Sequence, residues 1–564
     1  VRTSSRFIIQ FIKLAGPFWQ SENKVRIRTF SAVLLVLTVL QIAISVVITV
    51  WSADLFDALD QRSMSRLLTQ VGFIVLIFIA NIAVTASHLV IKRRIQMDWR
   101  AWLTDRLISR WMNSGRHYLV THIGGEHDNP DGRIAEDARI ATEFAIDLIH
   151  SLTFSLLLLI SFTEILWGLS GVITLDLGIT DFQIRGHLVW LALLYAASAA
   201  ILGWWIGRPL TKATDNRQTV EANFRFSLVK ARENSMAIAM IQGERHETPH
   251  FKQLFSNIVT VWDEQTDAWK RIMMFTSGYS VLSMAFPILV SAPRYVLGVI
   301  SLGALMQSAL AFQHMVAALS WPVDNMGKIA EWRASVERIL GLTSALDKLE
   351  REISKTDPKR IHRVKKDASV LRFSSLCLSR LDGIVCLASL DEEIKAGERV
   401  LITGNPYTGN KLFKAIAGLW PWGEGSIELP DDEPIFYMPP RPYLPTGTLR
   451  QAICYPASCD SYQQNQLETA LHQVGLAELI AHLDESGDWE KNLEREQQQR
   501  LGMVRLLIHR PKWILLQEAF DSLDPHGEMA MIKLIDSNLP DVTLLTISKQ
   551  PSIQAMHQRQ ITLC

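Results

Sequence analysis

Long apolar runs alternate with polar stretches through the first part of the chain, and a shorter rhythm replaces them later. Six runs, at 30–51, 67–91, 144–173, 186–207, 271–292 and 302–325, each approach the roughly 20 residues a helix needs to cross a bilayer. The third is long enough to tilt or to leave the membrane, and Asp181, Gln183 and Arg185 mark a polar turn before the fourth. Polar helical extensions separate the second run from the third and, at 212–268, the fourth from the fifth. Beyond Gly327, residues Ile329, Trp332, Val336, Ile339 and Leu340 recur at helical spacing, and charged residues follow over 349–367. The expected organisation is a polytopic helical membrane domain over 1–335, a linker over 336–367 and an α/β domain over 368–564.

Basic residues beside the runs set an orientation. Lys24, Arg26 and Arg28 precede the first, Lys92, Arg93 and Arg94 follow the second, and Arg208 and Lys212 follow the fourth. These ends belong inside, so the short connection carrying Asp54, Asp57, Asp60, Arg62 and Arg66 lies outside. Six spans then put both ends of the chain, and the α/β domain, in the cytoplasm.

Composition agrees with a membrane protein: 48% of the 564 residues are hydrophobic and the mean hydropathy is +0.13. Basic and acidic residues balance at 57 each, which argues against a nucleic-acid partner. The five cysteines (Cys377, Cys386, Cys454, Cys459, Cys564) include no CxxC pair, so they read as reduced thiols and no metal site is expected. Phe7 to Trp19 is short, amphipathic and contains Lys13, which fits an interfacial helix better than a cleavable signal.

The chemistry concentrates in the α/β part. The apolar strand Arg399 to Thr403 runs into Gly404-Asn405-Pro406-Tyr407-Thr408-Gly409-Asn410-Lys411 and then an amphipathic run to Trp420. Strand, glycine loop and helix are the setting of a phosphate-binding loop, in which a Lys directly after the last Gly reaches the outer phosphates and a following Ser or Thr holds Mg²⁺. Here Asn410 follows Gly409, Lys411 is displaced by one residue, Leu412 offers no hydroxyl, and Pro406 removes one N–H from the cradle.

These segments resemble an ABC ATPase domain, and the resemblance extends downstream. Leu493 to Leu501 stands at the signature segment, which in that family covers the γ-phosphate of a nucleotide held by the partner subunit; Glu494 replaces its hydroxyl. Gln517 replaces the acid that orders the metal's water shell, whereas Glu518 keeps the general-base position. Ser522-Leu523-Asp524 matches the D-loop, Pro440 stands where a Gln contacts Mg²⁺ and water, and Lys549 stands where a His contacts the γ-phosphate. Between Ser374 and Lys411 no aromatic residue other than Tyr407 occurs, so a ring to stack on adenine is not evident.

Over nearly its whole length the chain resembles bacterial half-transporters of the YddA-like group, in which an SbmA/BacA-like membrane domain is fused to an ABC ATPase domain related to peroxisomal fatty-acyl transporters. Trp99-Arg100-Ala101-Trp102-Leu103-Thr104, Asn129 to Asp137, Leu319 to Asn325, Ala330 to Ala334, Ala415 to Gly423 and Pro442 to Arg450 carry the match. The resemblance implies a six-span fold of the ABC exporter type, a homodimer or a pairing with a competent half, ATP and Mg²⁺ as family cofactors, contact with membrane lipid, and a bacterial inner-membrane location. It implies bulky hydrophilic or amphipathic cargo, peptide-like or a vitamin. The substituted site implies weak or absent hydrolysis, which leaves a proton-driven importer or a non-transporting scaffold as alternatives. Asn129-Pro130-Asp131-Gly132 is either a capped helix start or part of an element carrying motion to the α/β domain. Glu164, well inside the third run, is either a paired structural residue or a cargo or proton site.

Overall fold

The computed structural model describes residues 2–122, 129–176, 181–354, 360–366, 369–379, 384–387, 389–430 and 435–563. Among the described residues, six helices are long and apolar enough to cross a membrane; they begin at Lys24, Met64, Pro130, His187, Glu244 and Leu302. The chain divides into two compact units, Val1–Ser109 with Glu126–Thr343, and Arg110–Gly125 with Ser344–Cys564.

The membrane unit is centred on the helices Lys24–Asp60, Ala138–Ser170, His187–Glu233 and Leu302–Asp324, whose shared core includes Ile42, Phe162, Leu166, Leu188, Phe312 and Met315. Phe73, Leu76, Phe78 and Ile79 of Met64–Met112 stay exposed, as a lipid-facing surface requires. Gly303 lets its helix approach Lys24–Asp60 closely: a Cβ there would fall 2.2 Å from the Ala53 carbonyl oxygen.

Two expectations are corrected here. The third span stops at Ser170 because Gly171 takes a left-handed φ of 62° and Arg294 donates to the carbonyls of Leu169, at 3.1 Å, and Ser170. The polar turn read at 181–185 is the strand Asp181–Arg185, antiparallel to Val172–Asp176, and its residues alternate polar with apolar. The expected linker, in turn, is helical over its first half. Met326–Ser354 is one helix, with Val336, Ile339, Leu342, Leu346 and Leu349 buried at spacings of three and four beneath a charged surface.

The amphipathic N-terminus forms the helix Arg2–Ala15 and a short turn, Gly16–Gln20. Phe18 stacks on Trp99 at 5.8 Å, and Phe11 meets Trp332 edge-on at 4.9 Å. Trp99 and Trp332 of the quoted motifs are therefore anchors of this aromatic cluster. Asp137, also from those motifs, is buried and accepts from Arg338 Nε at 2.8 Å and from Arg133 at 3.2 Å.

In the second unit, five parallel strands lie in the order Arg559–Leu563, Arg399–Gly404, Thr543–Ile547, Trp513–Gln517, Ile435–Met438. A second sheet joins His362–Lys366, Gly423–Pro430, Val370–Ser379, Val385–Leu387 and Glu392–Lys395. The helix Pro406–Ala417 packs with both sheets through Leu412, Phe413 and Ile416. The carboxyl ends of the parallel strands deliver Gly404, Gln517 and Ile547 to one edge, the usual place for a ligand in an open α/β sheet.

Candidate functional site

A cavity of about 170 Å³ opens at that edge. Gly404, Asn405, Pro406 and Gly409 form one side; Glu518, Ser548 and Lys549 form another. The structure thus gathers Gly404, Gly409, Glu518 and Lys549 in one place, whereas Asn410, Lys411, Pro440, Glu494, Gln517 and Asp524 are not part of the lining. Gly404 is irreplaceable on geometric grounds, since its φ is +103° and a Cβ would lie 2.3 Å from the Leu563 carbonyl oxygen. Glu518 is held at φ 43°, a conformation that costs a non-glycine residue of order 1–3 kcal/mol, with its N–H on the Ile547 carbonyl at 2.9 Å.

The loop is short. Helix begins at Pro406, so Asn405 alone separates it from the strand. Asn405 caps it: its side chain accepts from Tyr407 N at 3.0 Å, and its carbonyl accepts from Thr408 N at 3.0 Å and Gly409 N at 3.1 Å. The N–H groups that would close around a phosphate are turned inward on one residue.

Lys411 follows the same helix away from the cavity. Its side chain is 3% exposed, with Nζ 4.5 Å from the Tyr407 ring centroid and 4.7 Å from that of Trp420, and it donates to Cys386 Sγ at 3.1 Å. Tyr407, the remaining candidate for stacking on a base, is therefore part of a cage around the lysine. Sequence reading shows the displacement of Lys411 but not its direction. Trp420, nine residues on, is the signal that could have suggested the cage.

The other substituted positions are also engaged. Glu494 is the N-cap of Arg495–His509: its carboxylate accepts from the Gln497 backbone, and its own N–H donates to Gln497 Oε1 at 3.0 Å. An anion of the chain thus already sits on that helix terminus. Gln517 accepts from the Tyr437 hydroxyl at 2.6 Å, the Pro440 carbonyl accepts from Gln499 at 3.0 Å, and Asp524 accepts from Gly527 N at 2.7 Å as the cap of Pro525–Asn538.

The family model described as ABC transporter transmembrane region 2 matches residues 19–296. The inner membrane ABC transporter ATP-binding protein YddA of Escherichia coli is 27% identical over 562 residues, spanning 98% of this chain and 96% of YddA. Over nearly its whole length the chain is similar to the YddA-like ABC half-transporters. The human lysosomal cobalamin transporter ABCD4 is 22% identical to this chain over 99% of the chain and 94% of its own length. A solved bacterial Atm1-family ABC exporter with ATP bound shares the fold, with a TM-score of 0.65 and 15% identity over 95% of this chain and 93% of the exporter.

Two further features bear on how a half-transporter works. The short helix Arg116–Leu119, in the polar extension after the second span, belongs to the same unit as the α/β domain. Arg116 pairs with Glu350 at 3.0 Å, the Tyr118 ring lies 5.4 Å from Lys414 Nζ, and His122 meets Trp420 at 5.6 Å. Trp420 thus touches the displaced lysine on one side and this segment on the other. In the membrane unit, a cavity of about 820 Å³ lies between His187–Glu233, Glu244–Val296 and the end of Leu302–Asp324. Its walls include Gly203, Trp204, Ile272 and Phe275, and Arg208, Lys212, Asp215 and Asp324 bring charge to it.

Glu164 lies on an exposed face of Ala138–Ser170, beside Thr163 and Trp167, because Phe162 and Leu166 take the inward positions.

Proposed function

We propose that the chain is a transporting half whose own nucleotide site does not drive it. Two copies, or one with a competent half, would move bulky hydrophilic or amphipathic cargo, peptide-like or a vitamin, across the inner membrane with the α/β domain in the cytoplasm. The carrying observation is the pair formed by Asn405, which occupies the loop N–H groups, and Lys411, whose ammonium is caged away from the cavity. The residues present do not fit ATP and Mg²⁺ in a working arrangement. The protomer's cavity, at about 170 Å³, is below the roughly 300 Å³ at which small-molecule pockets begin. Leu412 offers no oxygen to Mg²⁺, and Gln517 offers only a neutral amide oxygen, already engaged by the Tyr437 hydroxyl, where P-loop sites use a hydroxyl and a carboxylate.

The membrane cavity, by contrast, falls within the usual ligand range at about 820 Å³, and its apolar walls and charged end suit an amphipathic cargo. Glu164, on an open face of the third span, is a candidate cargo contact.

Calorimetric titration of the full-length protein in lipid nanodiscs tests this reading. No saturable heat is expected with MgATP up to concentrations on the order of 1 mM. A saturable, Mg²⁺-dependent site would overturn it.

A further inference from the structure

The second and third spans meet through a polar ladder that neither the fold nor the nucleotide site requires. His88, Lys92 and Gln96 recur every four residues along one helix, and Glu143, Asp147 and His150 answer along the other. The rings of His88 and His150 lie 4.2 Å apart, and in each the Nε2 is buried without a hydrogen-bond partner. Lys92 pairs with Asp147 at 3.1 Å, and Gln96 donates to the same carboxylate at 3.0 Å. Buried polar atoms normally find partners, so two orphaned imidazole nitrogens side by side need a reason.

We propose that His88 and His150 form a proton-binding site that takes one proton at a time and couples its uptake to the packing of these two helices. A neutral imidazole holds one N–H and one free lone pair. Binding transfers a proton from hydronium in the aqueous phase to a free ring nitrogen, forming an N–H bond and leaving water; release reverses the step, and no electrons change hands. A second proton is opposed by the neighbouring imidazolium and by Lys92. Among the described residues, the charged groups acting on the two rings are Lys92 and Asp147. Glu143, one turn from Asp147, is engaged by Arg100 and Arg139, and the neighbouring helices Lys24–Asp60 and Leu302–Asp324 add no charged group to the pair.

The mechanical consequence follows from Asp147. A positive charge in the seam competes with Lys92 for that carboxylate, the principal ion pair joining the two helices at this level. The site lies near the end of the second span marked by Lys92, Arg93 and Arg94, where water is close. Its role as an energy source rests on the reading that nucleotide turnover does not drive the cycle; proton binding itself does not.

The test uses the full chain in bilayers with ¹⁵N-labelled histidine, the two rings being assigned through His88→Gln and His150→Gln. The expected result is one proton bound by the pair, with the midpoint of either ring moved by about one pH unit or more when the other is replaced. Rings that titrate independently, or that take no proton between about pH 5 and 8, overturn the proposal. The wild-type titration decides the point even where a variant misfolds. In vesicles loaded with a pH-sensitive dye, the wild type should dissipate an imposed pH gradient several-fold faster than the double variant, and equal rates would overturn the coupling. MgATP turnover in the same vesicles reports separately on the nucleotide site, so failure of that reading is distinguishable from failure of this one.

Discussion

Lys411 Nζ stands 4.7 Å from the ring centroid of Trp420, on the side of its helix away from the cavity that Gly404 and Glu518 line. A lysine displaced by one residue is turned by about 100° around the helix axis, enough to exchange one environment for another. The cage of Tyr407, Trp420 and Cys386 then holds it, and through Trp420 it stands next to the segment that carries His122.

A structural lysine makes a prediction opposite to that for a phosphate-binding one. Lys411→Ala should lower stability by about 2–3 kcal/mol, from the cavity and the lost cation–π contacts, without changing any response to nucleotide. Lys411→Met, which keeps the volume, should cost less than about 1.5 kcal/mol. Thermal unfolding followed by tryptophan fluorescence, with and without MgATP, checks both.

Removing the cap on the phosphate helix should act locally. Asn405→Ala frees the Tyr407 N–H and should destabilise the helix by about 1 kcal/mol, whereas Asn405→Asp should be nearly neutral. Amide exchange at Tyr407, Thr408 and Gly409 in the full chain is the readout.

Asp137 ties the helix that leaves the last span to the start of the third. Burial alone would raise its carboxyl, but hydrogen bonds from Arg338, Ser335 and Arg133 outweigh that and hold it below the ordinary carboxylate range. Because the folded value is depressed, this stabilisation is present above the unfolded pKa and is lost as pH falls through the folded one. Asp137→Asn should cost about 1–3 kcal/mol at neutral pH, less than a fully buried pair because Arg338 is 39% exposed. The difference between variant and wild type should narrow in acid.

Histidine should give the α/β domain a second pH dependence. Burial, aided by Arg399 and opposed by the Ile553 carbonyl, lowers His557 below 6.5. The unfolded chain therefore binds its proton first, and stability should fall as pH drops from about 6.5 towards the lower folded value. Exchange protection of Thr543–Ile547 should decrease between about pH 7 and 5 after correction for intrinsic rates, and His557→Gln should reduce that slope.

Much of this was legible before the structure. The six spans follow from runs such as 30–51 because hydropathy over about 20 residues is a collective signal, and the substituted loop from Gly409-Asn410-Lys411 is plain in the order of residues. What failed was facing. The run around Glu164 does not say which way it faces until Phe162 and Leu166 are seen to take the inward positions, and Lys92 reads as a flanking charge until His88 and Gln96 place it on a polar stripe. The direction of Lys411 depends on Trp420 and Cys386, a contact between segments that no local pattern encodes.

The most direct test is ATP hydrolysis by the full-length protein in nanodiscs, compared with Glu518→Gln. A site without its phosphate cradle should give Mg²⁺-dependent turnover at background, identical in the two proteins. Robust turnover in the wild type, abolished in Glu518→Gln, would contradict it.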